Sequence, residues 1–86
     1  MLPPLIEAAT FSPNGAITAA QNGAGRIELC SGFAEGGLSP SIGTVALVRE
    51  TVQLPLHVLI RPRVGDFVYN RTELSAIERE ISFYKN

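Results

Sequence analysis

An α/β architecture of parallel strands joined by helices is predicted by three features of this 86-residue chain. Short apolar runs alternate with amphipathic stretches in the order β-α-β-α-β-α, the connections between them are short, and each helical stretch opens on a residue suited to cap it. That order calls for right-handed crossovers, which two common architectures provide: a doubly wound open sheet or a (β/α)8 barrel. Three strands alone would leave both sheet edges open and much apolar surface without partners. A complete TIM barrel takes about 250 residues, so this chain corresponds to roughly its first third.

After Pro3 and Pro4, the run Leu5 to Ala9, interrupted by Glu7, reads as the first strand. Ser12 followed by Pro13 starts a helix whose small apolar face includes Ile17 and Ala20, and Gly23 stops it. Arg26 to Cys30 alternates in character and reads as the second strand, running into the glycine-rich loop SGFAEGGLSPS. Ser41 caps a second helix carrying Ile42, Val45, Val48 and Val52 at helical spacing, and Leu54-Pro55 closes it. The third strand lies in PLHVLIRPRVGDF at 55–67. Asn70 and Glu73 have capping-box spacing, and Leu74, Ile77, Ile81 and Tyr84 follow as the apolar stripe of a third helix.

Composition narrows the function. Hydrophobic residues make up 45% and charged residues 17%, as in a folded globular protein. Seven basic residues against eight acidic ones, with no cluster of either sign, give no reason to expect nucleic acid or an anionic membrane as partner. No apolar stretch approaches the ~20 residues of a transmembrane helix, and MLPPLIEAA lacks the features of a secretory signal, so a soluble, unprocessed chain is expected. Cys30 is the single cysteine, which excludes an internal disulfide and makes the cytoplasm the default location.

Side chains on a strand alternate between faces. On strand three His57, Leu59, Arg61 and Arg63 share one parity, and Leu56, Val58 and Ile60 the other. Arg26, Glu28 and Cys30 oppose Ile27 and Leu29, and Glu7 opposes Ile6 and Ala8, so each strand places its polar residues on one side. In a barrel that side is the interior, and Cys30, Arg61 and Glu28 approach the C-terminal mouth, where such barrels hold their sites. A buried guanidinium needs a counter-charge, and Glu7 and Glu28 are the candidates for Arg26 and Arg61. Pro62 stiffens the exit of the strand. Two readings follow: an ion-pair network across the interior, or a site for a small polar or anionic ligand. For an enzyme, Glu7, Glu28 and Arg61 are the candidate catalytic groups and Arg26, His57 and Arg63 the candidate ligand-binding ones; the reaction stays open. His57, early in its strand, reads more simply as a core histidine. Cys30 reads either as a small buried hydrophobe or as a soft ligand for Cu(I).

RIELC at 26–30, EGGLSPSIG at 35–43 and PLHVLIRPRVGDFVY at 55–69 together resemble the CutC family of copper homeostasis proteins, through nearly all of the chain and in the expected order. The resemblance implies a cytosolic (β/α)8 barrel longer than this chain, of which residues 1–86 form the N-terminal three βα units, and homo-oligomers of the complete protein. It implies copper handling, with Cys30 as the position onto which a proposed Cu(I)-ligand role carries over. Many relatives have a further cysteine in the first strand, where this chain has Ala8 and Ala9 after Glu7, and glycine where it has Val64. Three functional classes result: a copper-binding protein using Cys30, a barrel enzyme using the Glu/Arg set, and an interaction protein associating through its strand edges. The 86 residues on their own are expected to be unstable or to associate through those edges.

Overall fold

The computed structural model describes residues 5–85. Pro3, Pro4 and Met1, the second sulfur of the chain, lie outside them. The elements run β1 (Glu7–Thr10), α1 (Pro13–Gln21), β2 (Arg26–Leu29), a 3₁₀ turn (Phe33–Glu35), α2 (Ile42–Thr51), β3 (Leu56–Val58) and α3 (Arg71–Tyr84). The strands form one parallel sheet in the order β1-β2-β3, in register Glu7 with Arg26, Ala9 with Glu28, and Glu28 with His57. This is the predicted β-α-β-α-β-α order.

Local chemistry sets each helix start. The Ser12 hydroxyl accepts the Gly15 N–H at 3.0 Å and Pro13 opens α1; the Ser41 hydroxyl accepts the Thr44 N–H at 3.1 Å. Asn70 and Glu73 form the complete capping box of α3. Arg49 closes α2 by donating to the Val52 and Leu54 carbonyls at 3.3 and 3.0 Å.

The core lies on one face of the sheet. Ile27 and Leu29 of β2 pack with Ala16, Val45, Val48 and Val52 of the α1 and α2 segments. Full burial of Ile27, Leu29 and Val48 stabilises by about 1.5–3 kcal/mol each. The third helix adds little: Tyr84 reaches the core cluster, but none of the residues of α3 is buried, and Leu74 and Ile81 are 48% and 44% exposed. The apolar stripe read from the sequence is real, but Ile81 and Tyr84 of α3 line an open groove with Val45 and Arg49 of α2 and Leu56, Val58 and Ile60 instead of being buried against them.

Two strand boundaries differ from expectation. β1 starts at Glu7 instead of Leu5 because the Ile6 carbonyl is taken by the Gly25 and Arg26 N–H groups at 2.8 and 3.3 Å, while Leu5 and Ile6 themselves are exposed. It ends on Thr10, whose buried hydroxyl donates to the Glu28 carbonyl at 2.9 Å and so tolerates the core side of the sheet. β3 stops at Val58, well short of Arg63, although the Leu59 N–H still reaches the Leu29 carbonyl at 3.0 Å. Beyond that point the Arg61 N–H donates to the Ser39 hydroxyl at 2.8 Å and the Arg61 carbonyl accepts the Ser39 N–H at 3.0 Å. Pro62 then has no N–H with which to resume a ladder.

The segment between β2 and α2 is more ordered than a glycine-rich sequence suggests. Ser31 and Leu38 pair in an antiparallel bridge that encloses the 3₁₀ turn. Gly36 and Gly37 close it at φ +85° and +104°, conformations that disfavour any side chain, so glycine is required there.

Candidate functional site

Opposite the core, the alternation of the strands places Glu7, Arg26, Glu28, Cys30 and His57 on the other side of the sheet, as the parity argument predicts. They form two small groups. Arg26 Nε donates to Glu7 Oε2 at 2.6 Å, and His57 Nδ1 lies 3.5 Å from the same oxygen, so Glu7 serves two cationic or potentially cationic partners. At the carboxyl end of β2 the Cys30 thiol donates to Glu28 Oε1 at 3.6 Å. Cys30 is 2% exposed. Burial, and after it the negative charge and hydrogen bond of Glu28, push its thiol up to about 11, so it is neutral at physiological pH. His57 is exposed rather than enclosed, so the expectation of a core histidine does not describe it in this chain.

Of the two pairings expected for the arginines, the one between Glu7 and Arg26 forms. The expectation that Arg61 would be neutralised by Glu7 or Glu28 is corrected by the structure. Its Nη1 donates to the carbonyls of Glu35 and Gly37 at 2.9 and 2.8 Å, and Nη2 to the carbonyl of Gly65 at 3.2 Å. Arg61 therefore ties the segment after β2 to the segment after β3. It makes no ion pair with any described residue, its Nε is shielded from solvent without a partner, and the Phe67 ring lies 5.2 Å from its Cζ. The pairing failed because β3 ends at Val58, after which the alternation of faces no longer governs where a side chain goes.

Arg63 turns away from the sheet. It pairs with Glu73 through Nε and Nη2, donates to the carbonyls of Asp66 and Val68 at 2.9 and 2.8 Å, and stands 4.9 Å from the ring of Tyr69. The hydrogen bond from Arg63, followed by that from the Asn70 N–H, holds the Glu73 carboxyl below its ordinary range, and Glu73 in turn raises the Arg63 guanidinium. Sequence reasoning missed Glu73 as the partner of Arg63, although its capping-box position already placed it at the start of α3. It also missed the carbonyls that hold Arg61, since a backbone oxygen leaves no mark in the residue types.

Three aromatic rings stand around the same end of the sheet. Phe11, directly after β1, meets Phe33 with ring centroids 5.1 Å apart, and Phe67 covers Arg61. Among the described residues no group of three or more His, Cys, Asp or Glu side chains is arranged to hold a metal ion. No helix among them is long and apolar enough to cross a membrane.

Comparison with known proteins gives a consistent result. The model of the CutC family matches residues 5–86. A family protein CutC of Pectobacterium atrosepticum is 53% identical over 76 residues, covering 88% of this chain and 30% of that protein. The copper homeostasis protein cutC homolog of Mus musculus is 46% identical over 81 residues, covering 94% of this chain and 30% of the mouse protein. A crystal structure of CutC from Streptococcus agalactiae superposes with a TM-score of 0.76 at 33% identity, over 90% of this chain and 38% of that one. The chain thus spans about a third of the length of the relatives it matches.

Proposed function

This chain is a member of the CutC family of TIM-barrel proteins, and on that premise we propose that it serves copper homeostasis by binding Cu(I) in the cytosol, with Cys30 as one thiolate ligand. The observation that carries the reading is the placement of the single cysteine: buried at the carboxyl end of β2, with a carboxylate oxygen of Glu28 on its thiol. Copper is the cargo, and relatives from mouse and human carry the name of copper homeostasis proteins.

The donor set fits Cu(I) at one position. Cu(I) takes two or three soft ligands, and Cys30 supplies one of them. Because the thiol holds its proton up to about pH 11, metal entry must displace that proton. Glu28 accepts the hydrogen bond of that thiol from the polar side of the sheet.

An anaerobic Cu(I) competition titration of the complete protein, as parent and as Cys30→Ser, tests the proposal. The parent is expected to bind with an affinity that rises about tenfold per pH unit between pH 6 and 9, one proton being released per copper, and the variant to lose that pH-dependent binding. Coinciding curves for parent and variant would overturn the assignment. A second reading, a barrel enzyme for a small polar or anionic substrate using Glu7, Glu28 and Arg61, is favoured by one observation: Arg61 has no anionic partner among the described residues.

A further inference from the structure

We infer that the end of the sheet around Arg61 is a binding site for a small carboxylate with an aromatic or apolar body, separate from the thiol of Cys30. The first support is charge. Arg26 and Arg63 each have a carboxylate, whereas Arg61 donates to three neutral carbonyls and to no carboxylate among the described residues. Its Nε–H, shielded from solvent and without an acceptor among the described residues, is a donor left with its hydrogen bond unmet. A ligand oxygen would satisfy it and neutralise the cation together.

The second support is the apolar surroundings. Three of the four phenylalanines of the chain gather at this end, and their exposures are 39% for Phe11, 67% for Phe33 and 73% for Phe67. Gly37 joins them to the arginine: its carbonyl accepts from Arg61, and a Cβ there would lie 3.8 Å from Cε1 of Phe11. Exposed rings collected beside an unneutralised guanidinium suit a ligand that is apolar at one end and anionic at the other. Phe67, exposed and stacked over Arg61, offers its ring face to such a ligand.

The charge also selects the class of anion. One guanidinium matches a singly charged carboxylate; a phosphate dianion needs more than one cation, and the next nearest in sequence, Arg63, is already committed to Glu73.

The test is an NMR titration of the complete protein that carries these residues with phenylacetate, and with phenylacetamide as the neutral analogue of the same shape. Saturable shifts of the Arg61 Nε–H and of the Phe33 and Phe67 rings are expected with phenylacetate, at least tenfold weaker with phenylacetamide. Because Arg61 also ties two segments, the variants used are Phe33→Ala and Phe67→Ala, at positions that are 67% and 73% exposed. Each should weaken phenylacetate binding at least threefold while the remaining spectrum is unchanged. An equal response to both compounds, no saturation with either, or undiminished binding in both variants would overturn the inference.

Discussion

Arg61 and Arg63 leave β3 two residues apart, on either side of Pro62, and are anchored in opposite ways. Arg61 is held by backbone carbonyls contributed by two different segments, so its charge organises the end of the sheet without being neutralised. Arg63 is held by the carboxylate of Glu73 and by carbonyls of its own loop, so its charge is spent on starting α3. The difference is one of range as well as of partner. Arg61 reaches acceptors 24 and 26 residues back in the chain, whereas every partner of Arg63 lies within ten residues. A guanidinium bound only to neutral oxygens is a structural tie that remains chemically available; one bound to a carboxylate is a tie and little more.

The comparison is broken most directly by removing Arg61. Arg61→Ala deletes three hydrogen bonds from a charged donor, of which only the one to Gly37 is partly buried, so they do not add at full value. A loosening of about 2 kcal/mol is expected in the segment after β2, read as roughly thirty-fold faster amide hydrogen exchange at Ser31 and Leu38. Those two amides close the bridge around the 3₁₀ turn, and neither bonds Arg61 itself. Arg61→Lys should recover little, since an ammonium cannot reproduce a planar fork that spans both segments. Exchange rates unchanged in the alanine variant would show that Ser39, through its own two bonds to the Arg61 backbone, suffices to join the segments.

What could be read in the residues follows the same division of range. The caps at Ser12, Ser41 and Asn70 were legible because a cap is a matter of residue types three positions apart. The polar and apolar sides of the sheet were legible because strand alternation has a fixed period, which correctly put Ile27 and Leu29 in the core and Glu7 beside Arg26. The partners of Arg61 were not, since the parity rule lapses where β3 ends at Val58 and its acceptors are carbonyls of Glu35, Gly37 and Gly65. The stripe of α3 was legible as a stripe but not as an unburied one, because burial depends on what lies opposite. For the candidate site, residue types identified Glu28 and Cys30 as neighbours on one face, but the raised thiol follows from burial, which no local pattern encodes.

The local side of the comparison is sharpened at Asn70. Its side chain accepts the Glu73 N–H at 2.8 Å, and Asn70→Ala should cost about 1 kcal/mol, the usual value of a lost N-cap. The change should appear as a lower urea midpoint for the loss of helical circular dichroism. Amide exchange at Ser31 and Leu38 should not move, because α3 and the tie made by Arg61 share no hydrogen bond; a parallel change in both would show that the two arginines act as one unit.

The smallest effect at neutral pH is expected from Glu73→Gln, since glutamine can still reach back to the Asn70 N–H as glutamate does at 2.9 Å. The difference emerges in acid. The Glu73 carboxyl is held below its ordinary value of 4.5, first by Arg63 and then by the Asn70 N–H. A carboxyl that is lower in the folded state contributes stability that is present above its unfolded value and lost as the pH falls through the folded one. The parent should therefore lose stability progressively below about pH 5, and Glu73→Gln should lack this part of the decline, so that the urea midpoints of the two proteins converge between pH 7 and pH 3. Parallel midpoints over that range would mean that Arg63 is held by the Asp66 and Val68 carbonyls alone. Its charge would then be as available as that of Arg61, and the contrast between the two arginines would be one of position only.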